Sequence, residues 1–399
     1  MQRIFSGVTV VTAIVWATVS AAMVAEPGSE PGTDEPGTDE VGWRFAQPGW
    51  QYSFPRDHHA HPEFKTEWWY VTGHVTTDDG SELGYQVTFF RQGMQPPKLL
   101  AGTRSRWLTG DLHLAHAAFS DKARGRFEFD HRLSRGAFGE AGNAPPPESA
   151  APASPASDPA AKGGEHDQRV AWNDDWEMRW TGDRFATVFS VGGHQFELEL
   201  EPLKPAVFHG ADGFSRKGPG EGAGSHYYSF TRIRTTGELR LPDGTATKVK
   251  GVSWMDREWS TSVLSDGQVG WDWFSLQLDD DRELMAFQLR REDGSVDRHN
   301  HGTWVDTDGV SRHLKAGEFT LEPLRHWRSP DTGAEYPVAW RIVVEDLGID
   351  LEVEAVFDRQ ELVLEPVIYW EGALRVGGSH TGRGFLEMTG YAGAVEGLR

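Results

Sequence analysis

Residues Ser253 to Ser260 read SWMDREWS, three charges set between two tryptophans. On a strand, side chains alternate between faces. Trp254, Asp256 and Glu258 then share one face, and Ser253, Met255, Arg257 and Trp259 share the other. Two carboxyls about 7 Å apart beside an indole compete for ionisation, and one is pushed toward its protonated form. A carboxyl that keeps its proton near neutral pH is what a general acid requires. The competing reading is an ion cluster in which Arg232, Arg234 or Arg257 holds Asp256 and Glu258 ionised. The sequence leaves both open.

Upstream, GSHYYSFTRIR alternates in the same way and sets His226, Tyr228 and Phe230 on one face. Turned toward Asp256, an imidazole and a phenol would complete a polar cluster inside an aromatic box. Turned away, His226 is a core histidine bonded to backbone. EWWYVTGHV places Trp68, Tyr70 and His74 on one face, and GWDWFSLQL does the same for Trp271 and Trp273. These rings either fill a core or line a cavity. Glu67, Arg91 and Arg290 are candidates for a buried ion pair, because a buried arginine needs an acidic or aromatic partner.

Other motifs carry less. His58, His59 and His61 in DHHAHPEF lack the spacing that brings ligands onto one ion, so no metal is expected. KGPGEGAGS leads into a strand rather than a helix and therefore lacks a phosphate-cradling N-terminus; it reads as a loop or lid. There is no GxSxG nucleophile elbow. No cofactor is expected.

Strands must position these residues. Period-2 alternation recurs in ELGYQVTFF, HQFELELE, ELMAFQLRR and IDLEVEAVF, and no amphipathic helix longer than three turns is apparent. Asp-Gly pairs at Asp79, Asp243, Asp293 and Asp308 fall between such runs, as hairpin turns prefer. The fold class is therefore all-β, with antiparallel barrels whose aromatic interiors could hold a ligand. A chain of 399 residues has room for two of them. The boundaries drawn are 47–260 for the N-terminal domain and 261–399 for the C-terminal one. A low-complexity insertion, 141–167, lies inside the first.

A positive start, an apolar run and small residues near Ala25 make 1–25 an export signal, and the acidic Pro/Gly stretch 26–46 reads as a disordered linker. Beyond the signal no apolar run approaches the ~20 residues of a membrane helix. The net charge of −21 argues against nucleic acid or anionic lipid as partner. The absence of cysteine removes any disulfide framework or lipid attachment at cysteine. The expectation is an exported, periplasmic or secreted monomer without a stable membrane span.

FPRDHHAHPEFKTEWWYVTGHV, FFRQG, LAHAAFSD, SHYYSFTRIRTTGEL, VSWMDREWSTS, GWDWFSLQLDD, ELMAFQLRREDGS, YWEGAL and LEMTGY together resemble the AttH-like family, exported tandem lipocalin-like proteins grouped with carotenoid 1,2-hydratases (hydroxyneurosporene synthases). The resemblance runs from about Phe54 to Tyr391. It implies two packed lipocalin-like β-barrels with an apolar pocket. It also implies a cofactor-free reaction in which a carboxylic acid protonates an isolated double bond and water captures the cation. The hydratase pattern of His-x-Trp and Tyr-x-Asp corresponds here to His226-x-Tyr228 and Trp254-x-Asp256, with the aromatic positions exchanged.

The resulting expectation is an enzyme that hydrates or cyclises an apolar isoprenoid or polyene, a hydro-lyase of the carotenoid 1,2-hydratase kind. Asp256, His226, Tyr228 and Trp254 are the catalytic set; Glu258, Trp68, Tyr70, Trp271 and Trp273 line the ligand. The alternative is a non-catalytic lipid or pigment carrier, and a secreted hydrolase ranks third. An acid without an arginine partner favours the enzyme; a carboxylate tied in an ion pair favours the carrier.

Overall fold

Period-2 patterning becomes 23 strands in the computed structural model, which describes residues 37–101, 109–145, 168–364 and 367–393. The first sheet opens with the meander β1 (Thr66–Thr77), β2 (Glu82–Gly93), β3 (Asp111–Asp121) and β4 (Arg126–Ser134). It continues through β5 (Ala141–Asn143), β6 (Gln168–Asn173), β7 (Trp176–Trp180), β8 (Phe185–Val191) and β9 (His194–Pro202). Two short strands, β10 (Val207–Phe208) and β11 (Phe214–Arg216), precede the long hairpin β12 (Gly224–Arg240) and β13 (Ala246–Ser260). The order is β4-β3-β2-β1-β13-β12-β9-β8-β7-β6-β5. The side-chain amide of Asn173, on β6, donates to the carbonyls of His113 and Arg132 at 3.1 and 3.3 Å, so the sheet curls into a near-barrel.

The second sheet holds β14 (Gln268–Leu278), β15 (Glu283–Arg291), β16 (His301–Val305), β17 (Ser311–Lys315) and β18 (Thr320–Arg328). To these it adds β19 (Glu335–Val344), β20 (Ile349–Ala355), β21 (Glu361–Leu364), β22 (Val367–Gly378) and β23 (Gly382–Thr389). Its order, β17-β16-β15-β14-β23-β22-β20-β19-β18, forms a half-barrel. The glycines of the four Asp-Gly turns, Gly80, Gly244, Gly294 and Gly309, all take φ between 79° and 86°, the left-handed backbone a tight hairpin needs. The fold is all-β, two curled antiparallel sheets of the tandem lipocalin-like kind. No helix among the described residues is long and apolar enough to cross a membrane.

Apolar layers form within each sheet and between them. Trp69, Tyr85, Trp176 and Phe189 lie in the near-barrel core, and Phe274, Trp340 and Trp370 in the half-barrel core. Between the sheets, Tyr70, Tyr227 and Trp254 of the first pack against Trp273, Phe287 and Phe385 of the second. Polar bonds pin that contact. β12 bulges against β13 between Phe230 and Ile233, which frees the Thr231 carbonyl, and Gln277 of the second sheet donates to it at 2.7 Å. Glu283 accepts from Lys204 at 2.9 Å and Arg232 at 2.5 Å across the same seam.

The expected linker ends earlier than 46. Thr38 bridges Arg44, and the ring of Trp43 packs on Gly93 so closely that a Cβ there would collide with it. Burial of that indole holds the segment on the barrel. The signal, the rest of the linker and residues 146–167 of the insertion lie outside the described residues, whereas Ala141–Asn143 forms β5.

Candidate active site

From Ser253 to Ser260 both faces of β13 are buried, one inside the near-barrel and one against the second sheet, so its alternation sorts charges between two interiors. On the barrel side, Arg257 is fully sealed and pairs with Glu67. Glu67 also accepts from Arg91 Nε at 2.5 Å. Burial opposes ionisation of Glu67, but Arg91, Arg257 and His61 outweigh it and hold the carboxyl well below the usual range. The guanidinium of Arg257 stacks 3.9 Å over Trp69. Arg290, expected in this cluster, instead reaches Asp272 at 3.3 Å in the second sheet.

On the other side, Asp256 faces the layer between the sheets with 4% exposure. The Trp254 indole N–H donates to Oδ1 at 2.6 Å, the Ser229 hydroxyl also donates to Oδ1, and the Tyr227 phenol donates to Oδ2 at 2.8 Å. Among the described residues no arginine or lysine pairs with it. Arg232 is taken by Glu283, Arg234 by Glu201 and Arg257 by Glu67. Burial pushes the Asp256 carboxyl up to about 7, against the three donated hydrogen bonds that favour its ionised form. A carboxyl offers four lone-pair sites, and three are occupied. The remaining one, on Oδ2, is free to carry a proton.

A second layer of bonds aims the donors. Trp273 Nε1 donates to the Tyr227 hydroxyl at 3.0 Å. Because Ser229 donates to Asp256, its oxygen accepts from His209 Nε2–H at 2.7 Å, and His209 Nδ1 accepts from Thr303 at 2.9 Å. Burial holds His209 neutral by lowering its pKa to about 3. Glu258, two residues along, is met by Lys217 of the glycine-rich loop and by Ser225, and the Lys217 ammonium lies 5.5 Å from the Trp68 ring centre.

Of the residues singled out from sequence, Asp256, Trp254, Glu258, Trp68, Tyr70, Trp271 and Trp273 converge on this layer. His226 and Tyr228 do not, which corrects their placement beside Asp256. Ser229 is the cross-strand partner of Asp256 and Tyr227 that of Glu258, so the odd-numbered residues of β12 ahead of its bulge share their face. His226 lies in the barrel between Trp50, at 4.7 Å, and Trp259, at 5.5 Å, and burial lowers its pKa to about 3. Tyr228 bonds His58 at 2.8 Å. Tyr227, Ser229 and His209 were missed; the YYS of SHYYSF was the available signal. The other two histidines of the DHHAHPEF run, His59 and His61, are buried, and His61 stacks on Trp259 at 3.9 Å.

A model of the family described as AttH-like matches residues 45–391. The chain belongs to the AttH-like family. The AttH-like chain is similar to a curated protein, the kievitone hydratase of Fusarium solani subsp. phaseoli, with 18% identity over 173 residues, 42% of this chain and 47% of that protein. It thus spans about half the length of the curated relative it matches. Among solved structures, an AttH protein from Nitrosomonas europaea superposes with a TM-score of 0.72 and 35% identity, covering 86% of this chain and 98% of that one. The kievitone hydratase of Nectria haematococca gives a TM-score of 0.58 at 14% identity, covering 86% and 93%, a likeness of fold.

Proposed function

We propose that this AttH-like protein is a cofactor-independent hydratase of an apolar, alkene-bearing small molecule, an isoprenoid or polyene, with Asp256 as the general acid. One observation carries the reading: Asp256 is buried against an aromatic layer, held by three neutral donors and, among the described residues, by no cation, with one lone-pair site left for a proton. Asp256 delivers that proton to the less substituted alkene carbon. The faces of Trp254 and Trp273 stabilise the tertiary cation. Water bonds to the cationic carbon and then loses a proton, so alkene plus water gives a tertiary alcohol. The apolar surroundings raise the acid's pKa, so the proton is available near neutral pH. The relatives that hydrate kievitone support the reaction class, and the carotenoid hydratases resembled in sequence support an extended polyene as substrate.

Residues 1–25 have the composition of an export signal, and we place the working protein outside the cytoplasm; N-terminal sequencing of the mature protein would show cleavage near Ala25. The reaction is tested by incubating the protein with kievitone and with an acyclic carotenoid and recording mass spectra beside Asp256→Asn. A gain of one water with the native protein and a loss of about 10²–10⁴-fold in the variant is expected. Equal turnover by both proteins would contradict it, and a bound, unchanged polyene on both would favour a carrier.

A further inference from the structure

The second sheet presents a pair of carboxyls to the same layer. Glu371 of β22 and Glu387 of β23 are direct antiparallel partners, on the face that carries Ala373 and Phe385 into the contact with Trp254 and Trp273. Like charges directly opposite each other repel, and among the described residues neither glutamate forms an ion pair. Glu371 is 1% exposed and its Oε1 has no hydrogen-bond partner. Glu387 keeps some exposure and accepts from Trp271 Nε1 at 2.7 Å. Tyr70, the cross-strand partner of Asp256, sets its buried hydroxyl beside the Glu371 carboxyl, close enough to act on its ionisation. Tyr369, Glu258 and Lys217 also act on the pair. Burial raises Glu371 well above the carboxylate range, and mutual repulsion adds to it.

Such an arrangement is strained as two carboxylates and relaxed as one carboxylate and one carboxylic acid. The Tyr70 hydroxyl and the Glu371 carboxyl lie beside each other on the wall facing Asp256.

We propose that Glu371 and Glu387 share one proton and act as the base of the hydration, taking the proton of the attacking water beside Tyr70. This rests on the reading of Asp256 as the acid. Asp256 loses its proton to one alkene carbon, the water oxygen bonds to the other, and the released proton goes to the ionised member of the pair. Glu387, at the accessible edge, passes that proton to solvent, and solvent returns one to Asp256. No other reactant is needed.

The test uses the full chain and the variants Glu371→Gln, Glu387→Gln and Asp256→Asn. Infrared titration of the unliganded protein needs no substrate. Each glutamine variant should remove a protonated-carboxyl band that titrates near neutral pH while leaving the Asp256 band, which only Asp256→Asn removes. With kievitone as reaction probe, each glutamine variant should lower the rate by about 10²-fold and abolish the limb of the pH profile that requires an ionised base. Relief of repulsion should keep both variants folded at or above the native melting temperature. An unchanged infrared band in both glutamine variants would overturn the shared proton. Native rate and pH profile in both, with Asp256→Asn inactive, would overturn the base and leave the acid standing. A fully active Asp256→Asn would sink the acid assignment itself.

Discussion

Glu67 and Asp256 sit on neighbouring strands of one sheet and are buried alike, at 0% and 4% exposure. Their charge states diverge. Glu67 lies between Arg91 and Arg257, and its carboxyl is held far down; Asp256 meets a serine, a tyrosine and a tryptophan, and its carboxyl is held up at about 7. Burial penalises both ions to a similar degree, so the partners decide. Cations lock a buried carboxylate into structure, whereas neutral donors orient it and leave it able to give a proton. Asp256 and Arg257 are adjacent, and the strand's alternation sends one to each environment.

The largest break in this comparison comes from Glu67→Gln. It leaves the buried Arg257 without a carboxylate partner and Arg91 with Asp111 alone, and should cost about 3–5 kcal/mol of unfolding free energy, measured by urea melts at pH 8. Asp256→Asn at the same pH should melt no lower than the native protein, because it removes a buried group that ionises at a penalty.

The pH dependence of stability should differ in sign between the two sites. The folded pKa of Asp256 lies above its unfolded value, so its contribution is complete below pH ~4 and is lost as pH rises through about 7. The loss amounts to about 4 kcal/mol at most. Asp256→Asn should lack that decline. The contribution of Glu67, whose folded pKa is depressed, is present above pH ~4.5 and is lost on acidification, and only Glu67→Gln should remove it.

A smaller change sharpens the donor side. Ser229→Ala deletes one hydrogen bond to the ionised form of Asp256 and should move the alkaline limb of the hydration profile up by about one pH unit. Trp273→Phe keeps an aromatic face but removes the bond to Tyr227, and should move the limb by a few tenths of a pH unit, about 0.5 kcal/mol, whatever it does to the maximal rate.

The sequence made much of this legible where one face of a strand differed from the other. Hairpins followed from alternation and Asp-Gly turns, and the two faces of SWMDREWS separate as the period requires. The family's ordered motifs made the tandem lipocalin-like architecture readable as well. The face of β12 was not legible, because from Gly224 to Ile233 every residue is buried and the strand offers no polar side to read. Only its register with β13, Ser229 opposite Asp256, tells Tyr227 from Tyr228. Glu371 in YWEGAL and Glu387 in LEMTGY escaped for a related reason. A lone glutamate in an apolar strand reads as solvent-facing, and here a second sheet covers that face.

The protonation of Asp256 can be followed directly by carbon NMR of the protein labelled at aspartate Cγ, with Asp256→Asn to assign the resonance. An aspartate signal that titrates near pH 7 and disappears in the variant is the expected result. If every aspartate signal completes its titration below pH 5, Asp256 is an ordinary buried carboxylate and its role as general acid is contradicted.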